Sequence, residues 1–140
     1  MSQASDYLEN ALLDHVLSNT AMTSPTTVYV GLFTSDPSLG STDELLEAGT
    51  FTTEVSGNGY ARKAVSFGAA SGGSATSDAN VTFDPASGGD WGEITHIAIV
   101  SSATGGAGEC YFFGRLQTAK NIQDGDTFQI TSGNLTVTLA

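Results

Sequence analysis

Apolar residues recur with two different periods along this chain. Between Asp6 and Ser18, Leu8, Leu12 and Val16 stand at i, i+4 and i+8, with Leu13 and Leu17 beside them, which is the stripe of an amphipathic α-helix. Asp6 and Glu9 have capping-box spacing and Asn19 can end the helix. The stripe needs a cover, either the helix's own sheet or a neighbouring subunit. After Thr26 the period falls to two. Val28, Val30 and Leu32 alternate with Tyr29 and Phe33, so both faces of this strand want cover and it is expected in the middle of a sheet. Ser35-Asp36-Pro37 stops it, because proline cannot continue a ladder.

Further strands are expected where β-branched and aromatic runs are broken by Gly, Asn and Asp. Phe51–Val55 and Tyr60–Phe67 read as a hairpin across Ser56-Gly57-Asn58-Gly59, since Asn-Gly tolerates positive φ. Gly68–Asp78 is rich in Gly, Ser and Ala and reads as a surface loop. Ala79, Val81 and Phe83 alternate with Asn80 and Thr82 before Asp84-Pro85. From Glu93 to Val100, Ile97 and Ile99 are expected on one face, with Ile94, His96, Ala98 and Val100 on the other. Glu109–Leu116 follows a Gly-rich turn, and Asp124-Gly125-Asp126 leads as a hairpin turn into Thr127–Thr131 and Leu135–Leu139. The apolar content is densest from Gly92 to Leu139, so the other segments must be buried against that block. The segment Ser38–Gly49 is long for a connection, with room for a helical turn at Glu44–Glu47. The expected fold is all-β: an antiparallel β-sandwich, jelly-roll-like or another Greek key, of about eight strands with one N-terminal amphipathic helix. Residues 1–140 make a single domain, with 1–19 as an arm and helix and 36–50 as a long loop.

Composition narrows the partners. A hydrophobic fraction of 39%, including seven Phe, four Tyr and one Trp, can fill one core. Only 14% of residues are charged, against about 25% in typical domains, and Ser, Thr and Gly take their place. Fifteen acidic residues against Arg62, Lys63, Arg115 and Lys120 give a net charge of −11. That charge repels phosphate and anionic headgroups, so neither nucleic acid nor a membrane is expected as a partner. Cys110 has no second cysteine to pair with and is expected as a small buried hydrophobe. No stretch approaches the ~18 apolar residues of a membrane span, and the N-terminus lacks the basic and apolar regions of a signal peptide. Synthesis and folding in a cytosol are expected, so the sequons at Asn80 and Asn134 are read as chance.

Reactive chemistry finds little purchase. A nucleophilic site needs Ser or Cys with a His base and an orienting acid, and only His15 and His96 are available, one on the helix and one on a strand. No Gly-x-Ser-x-Gly elbow is present, and among fifteen acids no pair stands out. Asp124-Gly125-Asp126 and Asp78-x-Asn80 do not match a calcium-binding loop and are read as turn residues. Arg62-Lys63 falls far short of a basic stripe and is expected to be salt-bridged or in an interface. No catalytic, cofactor-binding or metal-ligating residue is therefore expected, and no enzyme activity or cofactor.

Five segments carry a resemblance: Tyr7–Leu17; Val28–Pro37; Glu54-Val55-Ser56-Gly57-Asn58-Gly59-Tyr60-Ala61-Arg62; Trp91–His96; and Asp126-Thr127-Phe128 with Gly133–Val137. In this order they resemble small virion proteins of tailed bacteriophages, a family often labelled phage tail fibre protein. Between Pro37 and Glu54 the chain is longer than in similar proteins. The resemblance implies a structural virion protein without catalytic residues. It leaves two places on the particle. A fibre needs lengthening devices such as heptads or β-helical repeats, and the chain has none. A decoration or cement protein on the outside of the head needs a compact sandwich with a weakly charged surface, which the composition suits. Capsid decoration is thus the first expectation, with the major capsid protein or other virion proteins as partners and a homo-oligomer, preferably a trimer, as the assembly. The alternative is a tail fibre or baseplate component, with host-surface carbohydrate binding through an exposed Trp91 or Tyr60.

Overall fold

The computed structural model describes residues 3–35, 53–104 and 108–139. The loop expected over 36–50, the Glu44–Glu47 turn and Phe51 lie outside the described residues. In chain order the elements are β1 (Gln3–Ala4), α1 (Asp6–Leu17), β2 (Val28–Phe33), β3 (Lys63–Val65), β4 (Ser74–Thr76), β5 (Val81–Thr82), β6 (Gly92–Val100), β7 (Cys110–Ile122), β8 (Gln129–Ile130) and β9 (Thr136–Thr138). Five strands form one sheet in the order β1-β7-β6-β2-β3, and β4-β9 and β5-β8 make two short sheets. Every pairing among them is antiparallel. The fold is the expected all-β, sandwich-like arrangement with one helix.

β2 is central, as its two apolar faces require, lying between β6 and β3. Val30 and Leu32 face the main core together with Ile97 and Ile99, while Val81, Phe83, Phe128, Ile130 and Leu135 close that core from the side of the short sheets. Fully burying each of these side chains contributes about 1.5–3 kcal/mol. Phe33, Ala98, Val100, Cys110 and Phe113 make a second, smaller cluster.

Four expectations need correction. The Val55/Tyr60 hairpin does not form: Glu54 pairs with Phe33 and Lys63–Val65 pairs with Val28–Val30. Both pieces therefore lie end to end along one edge of β2, and residues 56–62 loop out between them. The Asn-Gly signal is real but serves this excursion, where Gly57, Asn58 and Gly59 all have positive φ (74°, 52° and 80°). Second, the supposed loop Gly68–Asp78 contains β4. Its pairing with β9 is held by hydroxyl ladders, Ser74 to Thr138 at 2.9 Å and Thr76 to Thr136 at 3.1 Å, a pairing that hydrophobic periodicity cannot reveal. Third, Ile94 joins Ile97 and Ile99 in the main core and not Ala98 and Val100. The register between β6 and β7 slips between Ile94, opposite Lys120, and His96, opposite Arg115; such an irregularity breaks the strict alternation of faces. Fourth, β7 continues past Leu116 to Ile122 through mostly exposed polar residues, and β8 and β9 do not pair with each other or with β7 but with β5 and β4.

The helix begins one residue earlier than the capping-box spacing implies. Ser5 is the N-cap, accepting from the Leu8 amide at 3.2 Å, and Asn19 ends the helix in the left-handed region at φ 54°.

Candidate docking surface

Buried polar groups come first, because chemistry would have to start from them. Arg62 and Glu54 form a two-pronged ion pair, Nε to Oε1 at 2.8 Å and Nη2 to Oε2 at 2.9 Å, with side chains 1% and 10% exposed. Arg62 also donates to the carbonyls of Ser102 at 3.0 Å and Thr104 at 3.2 Å. Tyr60 donates its hydroxyl to Glu54 at 2.8 Å and accepts from the Leu32 amide at 2.9 Å. Gly31 makes the room: a Cβ there would sit 3.0 Å from Glu54 Oε1 and 3.4 Å from the Tyr60 hydroxyl. A glycine inside an otherwise apolar strand is the sequence signal for such a close approach. Burial, then the Glu54 carboxylate, raises the Tyr60 hydroxyl well above its ordinary range. Every group here is matched to a partner, so the cluster clamps the excursion loop to β2. The expectation that Arg62-Lys63 is salt-bridged holds, since Lys63 meets Asp84 at 2.9 Å.

The other polar residues of interest serve turns. Asp126 accepts from the Gln123 amide at 2.9 Å, Asp124 from Gly88 at 3.2 Å and Asn80 from Ser132 at 2.8 Å. The Ser66 hydroxyl donates to Asp78. His15 Nδ1 accepts from the Met22 amide at 3.2 Å, and His96 Nδ1 meets the Thr95 hydroxyl at 2.8 Å. Among the described residues no three His, Cys, Asp or Glu side chains are grouped as a metal would need. Trp91 is buried, its indole N–H donating to Asn58 O at 2.9 Å, and Tyr60 lies edge-on to it at 5.5 Å. Trp91 is thus withdrawn from the surface, and Tyr60 is half-buried.

Cys110 is fully buried, and burial pushes its thiol up to about 12 against the pull of Arg62. A thiol ionises near 8.5 once unfolded, so this group's contribution to stability is whole below that value and is lost as pH rises from about 9 to about 12. Cys110 should therefore react with a thiol reagent at pH 8 only as fast as the protein unfolds, and a fast labelling phase in native protein would contradict its burial.

Among the described residues, the large apolar side chains left exposed are three towards the far end of α1 and Leu139. α1 is riveted at its base: Ser5 N donates to Tyr111 O at 2.9 Å, the Ser5 hydroxyl donates to Cys110 O, and Leu8 is 5% exposed. Only this first turn is well covered. Leu13 is 56% exposed and Val16 and Leu17 are each 74% exposed. Of the two covers the stripe could have had, its own sheet shields only the base. Beside that base lies a hollow of about 390 Å³ whose walls include Leu8, Met22, Val28, Phe67, Val137 and Leu139, with no charged residue among its lining. The amphipathic period was legible in the sequence; which part of the stripe stays uncovered was not, because that depends on where β7 places Tyr111.

Among the described residues, Arg62, Glu54 and Tyr60 are engaged with one another, and the far end of α1 presents exposed apolar side chains. Residues 3–138 match the family model described as "Podophage GP4 fiber I protein gp80", and the chain belongs to that family. It is a structural protein of the phage virion, as the resemblance in its motifs implied. No curated protein matches the chain significantly.

Proposed function

We propose that this chain is a component of the phage tail fibre, joined to other virion proteins by surface contact and catalysing no reaction. The observation that supports this reading is the family match over residues 3–138, whose description names a fibre protein. Capsid decoration came first on sequence grounds because the chain has no lengthening device. The exposed end of α1 answers that objection: a short domain can be built into a longer structure through its surface and need not extend by its own fold. Labelling intact virions with antibody raised against the purified chain tests the placement. Label confined to the tail is expected, and label spread over the head would replace the fibre reading with decoration.

A further inference from the structure

We propose that an extended, acidic segment of another virion protein adds as a strand to the unpaired edge of β7, lying in the slot between that edge and β8 and β9. The inference rests on the structural role proposed above. It is read from the state of one strand edge, not from where the chain sits, so its failure and a wrong placement on the virion are separate results.

One edge of β7 pairs with β6, and on the other β1 covers only Phe112 and Phe113. From Gly114 to Ile122 this second edge has no strand beside it among the described residues, a stretch long enough for a usual strand of about 5–6 residues. Leu116 to Ala119 have no partner on β6 either, because the register jumps from Arg115 opposite His96 to Lys120 opposite Ile94. Across from this edge, β8 pairs with β5 and β9 with β4, each in a two-stranded sheet, so each also keeps a free edge. Between the two runs lie hollows of about 390 Å³ and about 750 Å³ that share Leu116, Gln117, Ile130 and Asn134, and together they make one slot. A strand face would give alternate residues to such a wall. Here the walls are consecutive residues, 112–118 and 120–122 on β7 and 126–131 and 134–137 opposite. Consecutive lining is what a backbone edge produces, and a row of unpaired strand amides and carbonyls is matched by another extended backbone.

Charge and polarity define the occupant. Arg62 and Lys63 have carboxylate partners, whereas Arg115 and Lys120, both exposed and both lining the slot, meet no carboxylate among the described residues. Asp126, the one acid in the lining, accepts from the Gln123 amide. The slot is therefore locally cationic on a chain whose net charge is −11, and it favours a segment that carries carboxylates. Its floor is apolar, with Ile97, Ile99 and Leu135, so the incoming strand should alternate apolar residues pointing in with acidic ones pointing out. Nucleic acid offers phosphates to the two cations but no amides to the ladder, and the net charge repels it.

Hydrogen exchange read by mass spectrometry tests the edge itself. In the purified chain the amides of Gln117, Thr118 and Ala119 should exchange freely, and in intact virions their exchange should slow by about tenfold or more. Benzoylphenylalanine in place of the exposed Ala119 should cross-link, on the virion, to a segment of another virion protein in which Asp or Glu alternates with apolar residues. Thr118→Pro removes an amide from the edge at an exposed position outside the β6 register. It should lower the number of copies per virion by about tenfold, with the circular dichroism spectrum and melting temperature of the purified chain unchanged. Arg115→Glu/Lys120→Glu should lower it likewise while leaving every edge amide in place. Unaltered exchange on the virion, a cross-link to a second copy of this chain, or full incorporation of both variants would each overturn the proposal.

Discussion

Replacing Arg62 with alanine should lower the free energy of unfolding by about 3–5 kcal/mol, the usual cost of removing one partner from a buried ion pair. Small domains have only about 5–15 kcal/mol in total, so the variant should sit at or near the edge of folding. The reason is local and specific. Arg62 meets the Glu54 carboxylate, the Ser102 carbonyl and the Thr104 carbonyl together. Its loss leaves a carboxylate 10% exposed without its guanidinium. Glu54→Gln should cost less, because an amide oxygen can still accept from Tyr60 and from Arg62 Nε. Urea titrations of the three proteins check the order; an Arg62→Ala midpoint equal to wild type would show that water compensates the site.

Phe83→Ala should cost a comparable 3–5 kcal/mol, the range for emptying an aromatic site in a core. Phe83 is 1% exposed and stands among three rings, with centroid distances of 5.7 Å to Phe128, 6.2 Å to Tyr60 and 6.4 Å to Trp91. It ties the β5-β8 segment to the excursion loop and to the residues just before β6, so the cavity would lie where three parts of the chain meet. Trp91 is the single tryptophan and reports directly: its emission should shift to the red in the folded variant as water reaches the ring. A variant with wild-type stability and emission would show that the cluster collapses onto the gap.

What the sequence made legible follows from where side chains alone decide the outcome. The alternation in Val28–Phe33 placed a central strand correctly, because burial on both faces is written in the residues themselves. The reach of β7 beyond Leu116 was not legible, since Gln117, Thr118 and Asn121 are polar and exposed; their extended state is imposed by β6 across the ladder. β4 was hidden for the same reason, its serine and threonine drawn into a sheet by β9. Arg62 and Glu54 could be read as charges that needed partners, but that each is the other's partner depends on Gly31 opening the space between them. The docking surface was half legible: the helix period was plain, and the exposure of its far end came only with the position of its anchor.

The anchor also sets a timetable. Ser5 hangs on Cys110 and Tyr111, 105 residues away along the chain for the first of these, and Gln3 pairs with Phe113. Contacts this distant form late, after the intervening loops have been closed. Gln3–Ser5 are therefore fastened only once the strand that receives them has been made. The direction of α1 is thus fixed only when β7 is in place to receive Ser5.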